Sequence, residues 1–342
     1  MSAHFRSVRA FQSRGFALAA VLWLLAGMTI LAAMISQSSL ILAQRQQQLK
    51  QRADAEQDFL STRSEVLFWL STSQATQDGF GWGDQMLKVD GRGYAGAGKS
   101  TIQVQDVRGL LNLNQPNRAQ LARLLVRCGA KQEETDSLLD ALQDYAEKGE
   151  LKRLNGAKSS EYSLAGLPAP RFAPLLGEPE IWRVFGWKAL QPTWDKRHCF
   201  EDVTVRGDGR FNIGTATAGA LEGYGMTSEL STQLLNERKT GENTSANAIQ
   251  ARESESNFLG IAGGRFPARA FRVTQSVSGM PWGFRYDVKL TSTVVGSPWE
   301  IIAPHRLPTT SVVLAAGRAR LPTLDKISET DKNAITQPVL PF

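Results

Sequence analysis

The residues of this 342-residue chain that could do chemistry are few. Gly93-Tyr94-Ala95-Gly96-Ala97-Gly98-Lys99-Ser100 fits the phosphate-binding pattern G-x-x-x-x-G-K-[ST], in which loop N–H groups and a helix N-terminus cradle a nucleotide. That chemistry needs a strand before the loop and a helix after it. Here the residues from Ser100 onward alternate polar and apolar, the signature of a strand, so a Gly-rich turn is the better reading and no nucleotide is expected at Lys99. Gly223-Tyr224-Gly225 has the form of a helix-hairpin-helix turn, whose free amides meet a nucleic-acid phosphate beside basic residues. The next basic residue is Arg238, which favours a simple turn between packed helices. His198 beside Cys199 has no second metal ligand nearby. Two Cys and three His exclude Cys/His zinc modules and a disulfide-built miniprotein. No Ser/His/Asp, Cys/His or paired-carboxylate arrangement stands out. The reading is a protein that is not an enzyme.

Charge adds little. The net charge is +6, but Arg6, Arg9 and Arg14 lie in an acid-free first fifteen residues, and the rest carries only +3, scattered. That is no nucleic-acid surface.

The elements that must position any function begin at the amino terminus. Residues 1–15 are polar and basic. No charge occurs from Phe16 to Gln44, and Phe16 to Ile35 is almost wholly apolar. Twenty helical residues cover ~30 Å, the thickness of a bilayer's hydrocarbon. The preceding arginines predict a cytoplasmic N-terminus, with the remainder carried across by an uncleaved signal anchor. Ile41 to Thr72 has neither Gly nor Pro and is rich in helix formers. Leu49, Ala53, Phe59, Leu60, Leu67, Trp69 and Leu70 recur at helical spacing and predict one apolar stripe. A single helix is expected from about Phe16 to about Ser71, broken by Gly79-Phe80-Gly81-Trp82-Gly83.

The basic leader ending in Arg14-Gly15, followed by Phe16-Ala17-Leu18 at the head of that helix, resembles the class III signal of type IV pilins. The resemblance implies that a prepilin peptidase cuts between Gly15 and Phe16 and methylates the Phe16 amine. Most pilins carry Glu at the fifth mature position, where this chain has Ala20. A carboxylate buried in an apolar fibre core is costly without a partner charge, so a subunit at the fibre end does better with an apolar residue. Among such proteins the chain resembles the K subunit, a minor pseudopilin of type II secretion.

The remaining sequence predicts an α+β fold. Ser100–Val107 reads as a strand. Phe271–Ser278 and Phe284–Val294 flank Gly279-Met280-Pro281-Trp282-Gly283 as a hairpin, with Ser311–Leu314 a third strand. Two related helical halves lie between: LNLNQPNRAQLARLLVRCGA with EETDSLLDALQDYAEKG, and FNIGTATAGALEGYGM with TSELSTQLLNERKTG. Asn114 and Thr215 are candidate helix caps. The expected organisation is a leader over 1–15, a membrane helix over 16–43, its periplasmic continuation over 44–78, and a small pilin-like antiparallel sheet over 79–112 and 271–320. A large all-α insertion of two SAM-like or helix-hairpin-helix-like halves occupies 113–270, and 321–342 forms a flexible tail.

The strand, the repeats and the hairpin carry the resemblance over most of the chain. It implies a tip subunit of the pseudopilus in the inner membrane of a Gram-negative cell, supporting export of folded proteins. Implied partners are the I- and J-type minor pseudopilins, the major pseudopilin and the prepilin peptidase. Some members bind calcium, and Asp144, Tyr145, Glu147, Gly156, Ala157 and Tyr162 match the family's acidic run. Gly149 stands for its third acid and Lys158 for its later Glu, which removes oxygen ligands that Ca²⁺ needs. Asp144 and Glu147 are therefore either calcium ligands or a solvated acidic loop. Cys128 and Cys199 would both lie in the periplasm, where disulfides persist, either bridged or as two buried thiols. Trp182, Trp187, Trp194 and Trp282 read as core or interface. The alternative reading is a membrane-anchored envelope protein that binds DNA through its helical repeats.

Overall fold

The computed structural model describes residues 14–82, 85–149, 151–240, 266–291, 297–308 and 319–323. Residues 1–13 of the proposed leader, the expected strand at Ser311–Leu314 and the tail beyond Thr323 lie outside them. The chain divides into two compact units, Met1–Gln57 and Asp58–Phe342.

Helix α1 (Arg14–Thr72) is uninterrupted over 59 residues, as expected of a segment whose only glycines are Gly15 and Gly27 and which contains no proline. It belongs to the first unit up to Gln57. In the second unit its last turns pack on a sheet: Val66, Leu67, Trp69 and Leu70 join Phe80, Leu87, Ile102, Val104, Phe271, Val273 and Val288 in one core.

The sheet has six strands in the order β10 (Trp299–Pro308), β9 (Trp282–Leu290), β8 (Ala270–Val277), β5 (Ser100–Asp106), β4 (Asp90–Ala95) and β11 (Ala319–Arg320). All pairs are antiparallel except β11 with β4. Period-two alternation sorts its faces. Ile102, Val104, Phe271, Val273, Tyr286 and Val288 meet α1, while Gln105, Arg272, Thr274, Arg285 and Asp287 point the other way, toward the insertion.

Strands β1 (Gln74–Ala75), β2 (Gly79–Trp82) and β3 (Gln85–Lys88) make a smaller sheet. The glycine cluster is thus not a bare helix breaker. Its residues Gly79–Trp82 form the buried strand β2, and a Cβ on Gly79 or Gly81 would come within 2.2 or 2.1 Å of the partner backbone. Among the described residues, the strand that pairs with the closing hairpin is β10. Its Ala303-Pro304 lies at a register shift on the sheet's edge, one of the few places a strand tolerates proline. Leu321, assigned to the tail, is buried in the sheet core.

The insertion leaves the sheet after Asp106 and returns at Ala270. Helices α2 (Arg118–Arg127) and α3 (Thr135–Ala146) form one helical pair, and α6 (Ala218–Tyr224) and α7 (Ser228–Thr240) the other, with α2 packed on α6. The caps are Asn117 and Thr217, which accept from Gln120 N and Ala220 N. Asn114 is instead held by Leu175 and Val205, and Thr215 donates to Asp106. The insertion is not all-α. Strand β7 (Val203–Thr204) runs parallel to β6 (Leu111–Asn112), and the described residues between α3 and α6 hold two short α-helices, α4 (Ser159–Leu164) and α5 (Gln191–Lys196), with 3-10 and other turns. Pro168, Pro170, Pro174 and Pro179 deny that stretch the amide donors of a long helix.

Candidate functional site

In the first unit, the side chains of α1 from Phe16 to Asp54 are exposed, Trp23 at 81%. Among the described residues this is the one helix long and apolar enough to cross a membrane. Three of its hydroxyls are satisfied within the helix itself. Thr29 donates to Ala26 O, Ser38 to Met34 O and Ser39 to Ile35 O, all within 2.9 Å. The Gly15–Phe16 bond lies in the first turn of α1, and Ala20 follows one turn later with its methyl exposed.

The predicted stripe divides. Leu67, Trp69 and Leu70 are buried on the sheet, whereas Leu49 stays 64% exposed and Leu60 42%. Thr62, absent from the predicted stripe, is fully buried: it donates to Asp58 O and accepts from Ala97 N, both at 2.8 Å. The segment read against the phosphate-loop pattern is the turn between β4 and β5, with the Lys99 amide donating to Asp58 Oδ2 and a strand following. At the other weighed motif, Gly225 takes φ 109° and caps α6. Its N–H donates to Glu222 O, the Met226 N–H donates to Leu221 O, and Arg123 holds the carbonyls of Gly223 and Tyr224. Those amides are already committed within the chain.

Sequence patterning missed the seam between sheet and insertion. Asp106, at the end of β5, accepts from Arg108 N at 3.0 Å, Ala268 N at 2.9 Å, Thr215 Oγ1 at 2.8 Å and Asn212 Nδ2 at 3.3 Å. Burial pushes its carboxyl up, and these donors pull it part of the way back. Beside it Arg272 reaches Glu178 at 2.5 Å, Arg285 reaches Glu201 at 2.5 Å, and Arg206 reaches Asp287 at 3.3 Å. Burial would raise the Glu178 carboxyl, but the Arg272 charge and local hydrogen bonds leave it below its ordinary value. The available signal was a strand, β8, that carries Arg272 and Thr274 between apolar neighbours.

In the insertion, Cys128 at the end of α2 and Cys199 are joined by a disulfide across 71 positions, both fully buried. Trp182, Trp187 and Trp194 pack beside it with Phe200, and Trp187 Nε1 donates to Leu138 O. Trp282 meets Phe284 edge to face, under the Arg306 guanidinium on the sheet. His198 is exposed with φ 53°.

Asp144 and Glu147 come together at the end of α3, but with cations of this chain. Arg153 bridges the two carboxylates, at 3.1 Å to Asp144 and 2.8 Å to Glu147, and their hydrogen bonds, Glu147's foremost, raise its pKa. The buried Lys158 ammonium donates to Asp144 O at 2.9 Å and Glu147 O at 3.1 Å. Asp144 is thus buried and Glu147 exposed, and both carboxylates are paired with Arg153. Among the described residues no three His, Cys, Asp or Glu side chains are placed to share a metal.

No family model and no curated protein matches the chain. Among solved structures, it is similar to a chain of the GspK-GspI-GspJ complex from the enterotoxigenic Escherichia coli type 2 secretion system. Identity is 16%, the match covers 78% of this chain and 98% of that chain, and the TM-score is 0.47. A likeness this distant says nothing about what the chain does.

Proposed function

We propose that this protein is a non-enzymatic minor pseudopilin of the type II secretion class, anchored in the inner membrane with its N-terminus cytoplasmic and its bulk periplasmic. The observation that carries the reading is α1. A helix that opens at Arg14-Gly15-Phe16 carries no charge from Phe16 to Gln44, and its last turns pack on a mostly antiparallel sheet. The peptidase product would begin at Phe16 with a methylated amine.

Two features favour the fibre tip. Ala20 offers no carboxylate for a neighbouring subunit's amine, and the insertion between β5 and β8 is far larger than the sheet that carries it. Exposed Leu49 and Leu60 then face the helices of I- and J-type partners and the major pseudopilin. The reading needs no cofactor, nucleotide or nucleic acid.

The test is N-terminal mass spectrometry of the mature protein, with light scattering of the chain mixed with candidate minor pseudopilins. A methylated Phe16 and a heterocomplex at micromolar concentration are expected. An intact Met1, or cleavage beyond Ile35, overturns the reading. Steeply salt-dependent DNA binding would favour the envelope DNA-binding alternative.

A further inference from the structure

The end of α3 has the shape of a cation site that the chain fills with its own side chains. The last carbonyls of a helix lack intrahelical partners and sit at the negative end of its dipole. Here the Asp144 and Glu147 carbonyls converge on Lys158 Nζ, at 2.9 and 3.1 Å, with Asp144 Oδ1 at 3.9 Å. The ammonium is buried and lies over the Phe172 ring, 5.1 Å from its centroid, on a residue in the left-handed region at φ 53°. An aromatic face suits an ammonium and gives no oxygen to a divalent ion. The carboxylates are spent as well. Asp144 Oδ1 and Oδ2 accept from Arg153 Nη1 and Arg153 N, and Glu147 Oε1 and Oε2 each lie 2.8 Å from the Arg153 guanidinium. Gly156 lets the loop close on Asp144, since a Cβ there would fall 1.9 Å from Oδ2. Two acids and two bases leave the cluster neutral. Ca²⁺ needs six to eight oxygens at ~2.3–2.6 Å and would meet two fixed positive charges instead.

We infer that Lys158, with Arg153 beside it, is a built-in counter-cation that occupies the place of a divalent ion at the end of α3, so that this loop folds independently of calcium. The inference does not depend on the pseudopilin assignment.

The test uses the full chain in detergent, as wild type, Lys158→Met and Asp144→Asn. Thermal unfolding is followed in chelator and in millimolar calcium, and terbium(III) is titrated with emission sensitised by Tyr145 and Tyr162 as the readout. For wild type the expected result is the same Tm in chelator and calcium and no saturable terbium emission. Lys158→Met, which keeps the buried stem but strands two carbonyls, is expected to lower Tm and speed proteolysis between Lys148 and Lys158. A saturable calcium-induced rise in the wild-type Tm, lost in Asp144→Asn, overturns the inference. So does a Lys158→Met variant with wild-type Tm and protease resistance. If Lys158→Met does not fold, the wild-type calcium and terbium titrations decide the matter alone.

Discussion

Replacing Cys128 and Cys199 by alanine, singly and together, opens a loop closed across 71 positions. That loop holds α3, α4, α5 and three of the eight tryptophans, so the bridge restrains much of the first half of the insertion in the unfolded chain. The chain-entropy relation for a loop of this length puts the cost of removal at ~4 kcal/mol at 25 °C. For a domain of this size that corresponds to roughly 10 °C in Tm. Because either substitution abolishes the cross-link, the double variant should cost about as much as each single one, not twice as much. The assay is urea unfolding of the full chain in detergent, followed by tryptophan emission, since Trp187 and Trp194 are fully buried near the bridge. Wild type treated with a reductant should fall onto the variants' curve. A double variant within ~1 kcal/mol of wild type would mean that the bridge does not restrain the unfolded chain as supposed. Two alkylatable thiols in protein isolated from an oxidising compartment would mean that the bridge does not form.

Thr62→Val keeps the shape of the residue but strips the acceptor from Ala97 N–H. A loss of ~1 kcal/mol is expected by urea titration, and no change would mean that the Thr62–Ala97 bond does not hold the β4–β5 turn to α1. Glu178 has a folded pKa below its ordinary 4.5, so its pairing with Arg272 stabilises the fold above that value and is lost as pH falls through the folded one. The stability gap between wild type and Glu178→Gln should therefore be wide near neutrality and narrow in acid. A gap that widens in acid would contradict the sign, and urea midpoints at two pH values suffice to measure it.

Whatever depends on near neighbours in the chain was legible in the sequence. The continuity of α1 follows from the scarcity of Gly and the absence of Pro, and the faces of β5, β8 and β9 follow from period-two alternation. Both are local periodicities, and burial reinforces them. What depends on partners far along the chain was not legible. Strand β10 carries Pro304 and exposed polar residues and is a strand only because β9 offers it an edge. The pair β6–β7 has two residues a side and exists only because the insertion brings Leu111 beside Val203. Asn117, not Asn114, caps α2, since Leu175 and Val205 compete for the Asn114 amide. The choice between bridged and separate cysteines was settled by how α2 meets the segment before β7. The surroundings of Asp144 turned on Lys158, fourteen residues away: composition counts acids and bases, whereas the fold decides which base lies 2.9 and 3.1 Å from a helix's terminal carbonyls.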